Sequence, residues 1–109
     1  MLKGENIITC KELKNLIDAK APVILLDVRE ESEYQKGHID EARLMPLSCF
    51  EEMVFSLNVD QSYIVYCKRG GRSERATLFM LEHGYKKVKN MLGGATQWAE
   101  EIDPAMRVE

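Results

Sequence analysis

The sequence predicts an α/β fold, a mostly parallel sheet with helices on both faces, and three observations point to it. Short apolar runs without polar alternation, residues 23–28 above all, read as strands buried on both sides. Segments with apolar residues at helical spacing lie between them. The connections are short, and strands that alternate with helices in this way pair in parallel.

The first helix starts at Thr9, where Glu12 three residues later completes a capping-box signal, and Leu13, Leu16 and Ile17 carry it to Ala19. Pro22 breaks it before the strand at 23–28, which ends in charge at Asp27 and Arg29. A polar helical turn follows over 30–35 and stops at Gly37, and residues 42–45 before Pro46 read as a second strand. A helix is expected over 50–57. The run 62–67, rich in aromatic and β-branched residues, is the next strand and ends at Cys67. From Ser73, helical spacing of Ala76, Phe79 and Met80 leads to Gly84. Residues 88–91 form the last expected strand, Gly93 and Gly94 turn the chain into a helix carrying Trp98, and Pro104 marks a tail. In such sheets sites lie beyond the carboxyl ends of the strands, and Asp27, Arg29 and Cys67 all fall there.

With 109 residues the chain has room for one domain, expected over 1–109 with its core at 7–102 and a short C-terminal tail. Apolar residues make up 45 % and charged residues 30 %, the balance of a globular protein. A net charge of -3 with scattered basic residues argues against nucleic acid as a partner. No apolar run reaches membrane-helix length and the first residues lack a signal-peptide core, so the expected partner is not a membrane and the expected location is the cytoplasm.

Three cysteines, Cys10, Cys49 and Cys67, are too few and too far from one another and from histidine for a disulfide framework or a zinc site, and no metal or cofactor is expected. Cys67 stands apart because Lys68, Arg69, Gly70, Gly71, Arg72 and Ser73 follow it. Gly70 and Gly71 allow a tight curl in which backbone amides turn toward the sulfur, and the helix from Ser73 adds its positive end. Together with the three basic side chains, such surroundings lower a cysteine pKa from about 8.5 toward roughly 3.5–7.5. Cys67 is therefore the expected nucleophile. The plain alternative is a buried strand-end cysteine beside an ordinary basic turn.

Asp27, Val28 and Arg29, then Gly37, His38 and Ile39 with Ala42 and Pro46, then Cys67 with Gly70, Arg72 and Ser73 form a pattern that continues through Ala76, Leu81, Gly84, Val88, Leu92, Gly93, Gly94 and Trp98. Over nearly the whole chain it resembles the rhodanese-like family of sulfurtransferase domains. The resemblance implies a central five-stranded parallel sheet and a Cys67 thiolate that takes the outer sulfur of a small donor such as thiosulfate. A cyanide or thiol acceptor, a protein thiol included, would then collect it from a Cys67 persulfide in a ping-pong cycle, with the amides of 68–73 holding the persulfide and Asp27 and Arg29 in support. Alternatives are a persulfide carrier serving a protein partner and a non-catalytic interaction module, the latter at odds with an intact loop. A cysteine phosphatase would place Arg where Ser73 stands.

The chain departs from the family at Glu41, where Gly is usual, and at Arg43, where Asn is common. His38 is expected to make a structural hydrogen bond, Trp98 to pack in the core, and Cys10 and Cys49 to act as packing residues.

Overall fold

The computed structural model describes residues 2–109. Its strands are β1 (Ile7–Ile8), β2 (Val23–Asp27), β3 (Arg43–Leu44), β4 (Ser62–Tyr66) and β5 (Val88–Met91), and its helices are α1 (Cys10–Asp18), α2 (Glu31–Lys36), α3 (Phe50–Met53), α4 (Gly71–Glu82) and α5 (Gly94–Glu101). The strands form one sheet in the order β1-β5-β4-β2-β3, and every pairing is parallel. β1 is absent from the sequence reading. Two residues before the Thr9 cap are too few to show a period, and only their pairing with Asn90 and Met91 of β5 makes them a strand.

The apolar runs lack polar alternation because both faces of the sheet are covered. Leu26, Val65 and Cys67 pack with Phe50, Val54, Ala76 and Met80 under α3 and α4. Leu25, Ile64 and Tyr66 pack with Cys10, Leu13, Ala95 and Trp98 under α1 and α5. Burying one such aliphatic side chain stabilises the fold by about 1.5–3 kcal/mol, so Leu26→Ala at a fully buried position of β2 should cost about 2–5 kcal/mol once the cavity is included. The Thr9–Glu12 capping box forms as expected, with both reciprocal hydrogen bonds present.

The helix expected over 50–57 is broken into a 3-10 turn (Leu47–Cys49), α3 and a second 3-10 turn (Val54–Ser56). Its carbonyls explain the break. Ser56 Oγ donates to Met53 O at 2.7 Å, Tyr85 Oη donates to Val54 O at 2.7 Å, and Leu57 N closes back on Val54 O at 2.9 Å. At Glu41 the backbone is left-handed, with φ of 69°, which accounts for the glycine usual there.

Candidate functional site

Cys67 follows directly on β4, whose Tyr66 lies in register with Asp27 of β2, so both residues stand at the carboxyl edge of the sheet. The chain then curls through Gly70, whose φ of 117° is open to glycine and strained for other residues. α4 begins at Gly71, two residues earlier than its apolar period suggests, and this brings its first turn under the sulfur. Gly70 N donates to Cys67 Sγ at 3.1 Å, and Ser73 Oγ lies 3.3 Å from the same atom. Gly71 is a correction to the sequence reading: its φ is not positive and a Cβ there would meet open space, so the curl depends on Gly70 alone.

α5 holds the loop from the other side. Ala95 N donates to Cys67 O at 2.8 Å and Thr96 N to Lys68 O at 3.0 Å. A Cβ on Gly94 would fall 2.5 Å from both carbonyl oxygens, so this position admits no larger residue without moving the loop. The backbone around Cys67 is clamped between two helix N-termini.

Burial pushes the Cys67 thiol up, but the Ser73 hydroxyl and the amides of Ser73, Gly70 and Arg69 outweigh it and hold the thiol below its ordinary value. The arrangement makes a thiolate easier to form on a residue only 1 % exposed.

The rhodanese-like domain family matches residues 9–101. This chain belongs to that family. It is 35 % identical over 104 residues to the maize adenylyltransferase and sulfurtransferase MOCS3-2, spanning 89 % of this chain and 22 % of the maize protein's length. A protein of Allochromatium vinosum named sulfurtransferase is 28 % identical over 104 residues, covering 95 % of this chain and 97 % of its own. A solved structure of a rhodanese-related protein from Thermoplasma volcanium superposes with a TM-score of 0.83 at 31 % identity, covering 95 % of this chain and 99 % of that one.

In this rhodanese-like chain the groups hydrogen-bonded to the sulfur are not the basic side chains, although the Arg72 guanidinium and Cys67 attract each other through space. Arg72 Nη1 and Nη2 form a fork with Glu33 Oε1 and Oε2 of α2 at 2.7 and 2.9 Å, which holds the Glu33 carboxyl down at about 2. Its charge is thereby matched. Lys68 is half-buried and Arg69 exposed, and the groups that lower Cys67 are amides and a hydroxyl. Charges on long side chains in water are screened, whereas dipoles fixed about 3 Å from the sulfur are not.

Asp27 and Arg29 are both fully buried and paired at 2.6 Å. Arg29 also donates to Gly37 O at 2.8 Å, and its backbone amide donates to Asp27 Oδ1 at 3.0 Å, so the pair ties the end of β2 to the chain after α2. The amide hydrogen bond that Asp27 accepts comes from Arg29 and not from the Cys67 loop. His38 Nδ1 lies 2.8 Å from Tyr34 O and its ring stacks on Tyr34, a structural engagement. Trp98 is buried under α5. Cys10 is buried with Sγ 3.7 Å from Leu92 O, and Cys49 is half-buried with Sγ 3.5 Å from Met53 Sδ.

Three residues at the site escape the sequence reading: Glu33, Gly94 for its close approach to the loop, and Asn90. Asn90 lies on β5, 4 % exposed, with Oδ1 2.5 Å from Ser73 Oγ and Nδ2 3.3 Å from Gly70 O. An asparagine in phase with the inward Val88 is the signal that marks it. No group of three or more His, Cys, Asp or Glu side chains among the described residues is arranged to hold a metal ion, and no helix there is long and apolar enough to cross a membrane.

Proposed function

We infer that this chain is a thiosulfate-type sulfurtransferase working through a Cys67 persulfide. The observation that supports it is the set of backbone amides that face Cys67 Sγ, with Ser73 Oγ beside them at 3.3 Å. The thiolate attacks the outer sulfur of thiosulfate, the S–S bond of the donor breaks, and sulfite leaves with the electron pair. A thiophilic acceptor, cyanide or a thiol, then attacks the outer sulfur of the persulfide and the Cys67 thiolate is restored. Amides that already face the sulfur stabilise the anion in each step without reorganising. The half-buried Lys68 and the exposed Arg69, next in the chain after Cys67, attract the dianionic donor, and Asp27 and Arg29 fix the neighbouring strand end.

A persulfide carrier serving a protein acceptor is the second reading. It is favoured by the maize relative, in whose name sulfur transfer stands beside adenylyl transfer. The test is mass spectrometry of the intact protein after incubation with thiosulfate. One added sulfur on Cys67, removed by cyanide, is the expected result. Loading by polysulfide and not by thiosulfate would favour the carrier, and loading by neither would overturn both.

A further inference from the structure

The Ser73 hydroxyl has three neighbours within hydrogen-bond reach and a single hydrogen. Cys67 Sγ lies at 3.3 Å, Gly70 O at 3.1 Å and Asn90 Oδ1 at 2.5 Å. Which of them receives the hydrogen decides what Ser73 does for the sulfur. Asn90 holds the strongest claim, because its amide orientation is set from elsewhere. Gly70 O only accepts, so the Asn90 NH2 group must face it, at 3.3 Å, and this leaves the Asn90 carbonyl oxygen toward Ser73. Both side chains are buried, so water does not relieve the competition. With its hydrogen on Asn90, Ser73 presents a lone pair to Sγ. That suits a protonated thiol, which can donate to it, whereas a thiolate gains the hydrogen only at the expense of the Asn90 bond.

We propose that Asn90 is a positioning residue for Cys67: it draws the Ser73 hydrogen away from the sulfur, so that the hydroxyl accepts from the thiol at rest and turns to donate only when a thiolate competes for it. The amides of the loop then carry most of the thiolate's stabilisation, and Asn90 restrains the nucleophile through Ser73. The proposal deepens the sulfur-transfer reading and rests on Cys67 as the reactive group of the cradle. Its test does not need sulfur transfer.

The test is the pH dependence of Cys67 alkylation by iodoacetamide, followed by mass spectrometry with Cys67 resolved from Cys10 and Cys49. Asn90→Leu, close in shape and without polar atoms, frees the Ser73 hydrogen and should move the Cys67 titration down by about one pH unit, the scale set by a hydrogen bond transferred to an ionised group. In the Ser73→Ala background the same substitution should move it by less than about a third of that. An upward shift, or an equal shift with and without Ser73, would overturn the proposal, because Asn90 would then act through loop geometry or burial. Ser73→Ala alone keeps Asn90 in place and should raise the titration by less than about half a unit. A larger rise would show that the hydroxyl donates to the thiolate unhindered by Asn90, which overturns the proposal even where Asn90→Leu fails to fold. Absence of sulfur loading with these titrations as expected would strike the transfer reading and leave the Asn90 assignment standing.

Discussion

Cys10 and Cys67 are both buried, both lie at the start of a helix or just before one, and their thiols are pushed in opposite directions. Cys10 is raised to about 11 by burial and by the Glu101 carboxylate, whereas Cys67 is lowered although burial works against it too. The difference lies in what faces the sulfur. Cys10 occupies the first turn of α1 with Sγ toward the carbonyl of Leu92, an acceptor that only a thiol satisfies. Cys67 precedes its helix, so that the amides point back at Sγ. Position near a helix N-terminus therefore does not activate a cysteine by itself; the donors must converge on the sulfur.

The sharpest way to break this contrast is to exchange the thiols for other groups. Cys67→Ser should reduce thiosulfate:cyanide transfer by at least about 1000-fold with the melting temperature little changed, since a hydroxyl forms no persulfide. Cys10→Ala should keep activity within about twofold and lose about 1 kcal/mol of stability. Loss of transfer in the second variant without unfolding would bring Cys10 into the chemistry. Without mutation, iodoacetamide at neutral pH should modify Cys67 at least about 100-fold faster than Cys10, the factor that two pKa units imply. Equal rates would remove the distinction altogether.

The same contrast gives opposite signs to the pH dependence of stability. Cys10 binds its proton more tightly folded than unfolded, so its contribution is fully present below the ordinary thiol value and is lost as pH rises through about 11. Wild type should therefore lose about 2 kcal/mol more than Cys10→Ala between pH 8 and pH 11 in urea unfolding. For Cys67 the contribution is present above the ordinary thiol value and lost as pH falls through its lowered one.

Two smaller effects sharpen the account of Cys67 itself. Gly70→Ala forces a left-handed residue and should cost about 1–2 kcal/mol while raising the alkylation pKa, and Gly71→Ala should do neither. Arg72→Gln should move that pKa by less than about half a unit, because the guanidinium is held by Glu33. A full unit would restore to Arg72 the role that its place in the sequence suggests.

Much of the architecture was legible because it is local. Apolar runs in β2 and β4 and the Thr9–Glu12 cap each depend on residues within a few positions of one another. β1 was not legible, since two residues become a strand only against β5. Nor was the break of 50–57 into 3-10 turns, which depends on Tyr85 bonding to Val54 from 31 residues further along the chain.

At the site the division is the same. By itself the sequence determined that a strand ends at Cys67, that a glycine turn follows and that a helix comes soon after it, because these follow from backbone freedom and short-range periodicity. Only the tertiary structure decided where the charges and protons go. Arg72 and Glu33 are 39 residues apart and Ser73 and Asn90 are 17 apart, and a guanidinium or a hydroxyl commits to whichever partner folding brings within about 3 Å. Distance along the chain carries no trace of that choice, so the three basic residues after Cys67 looked alike until Glu33 claimed one of them.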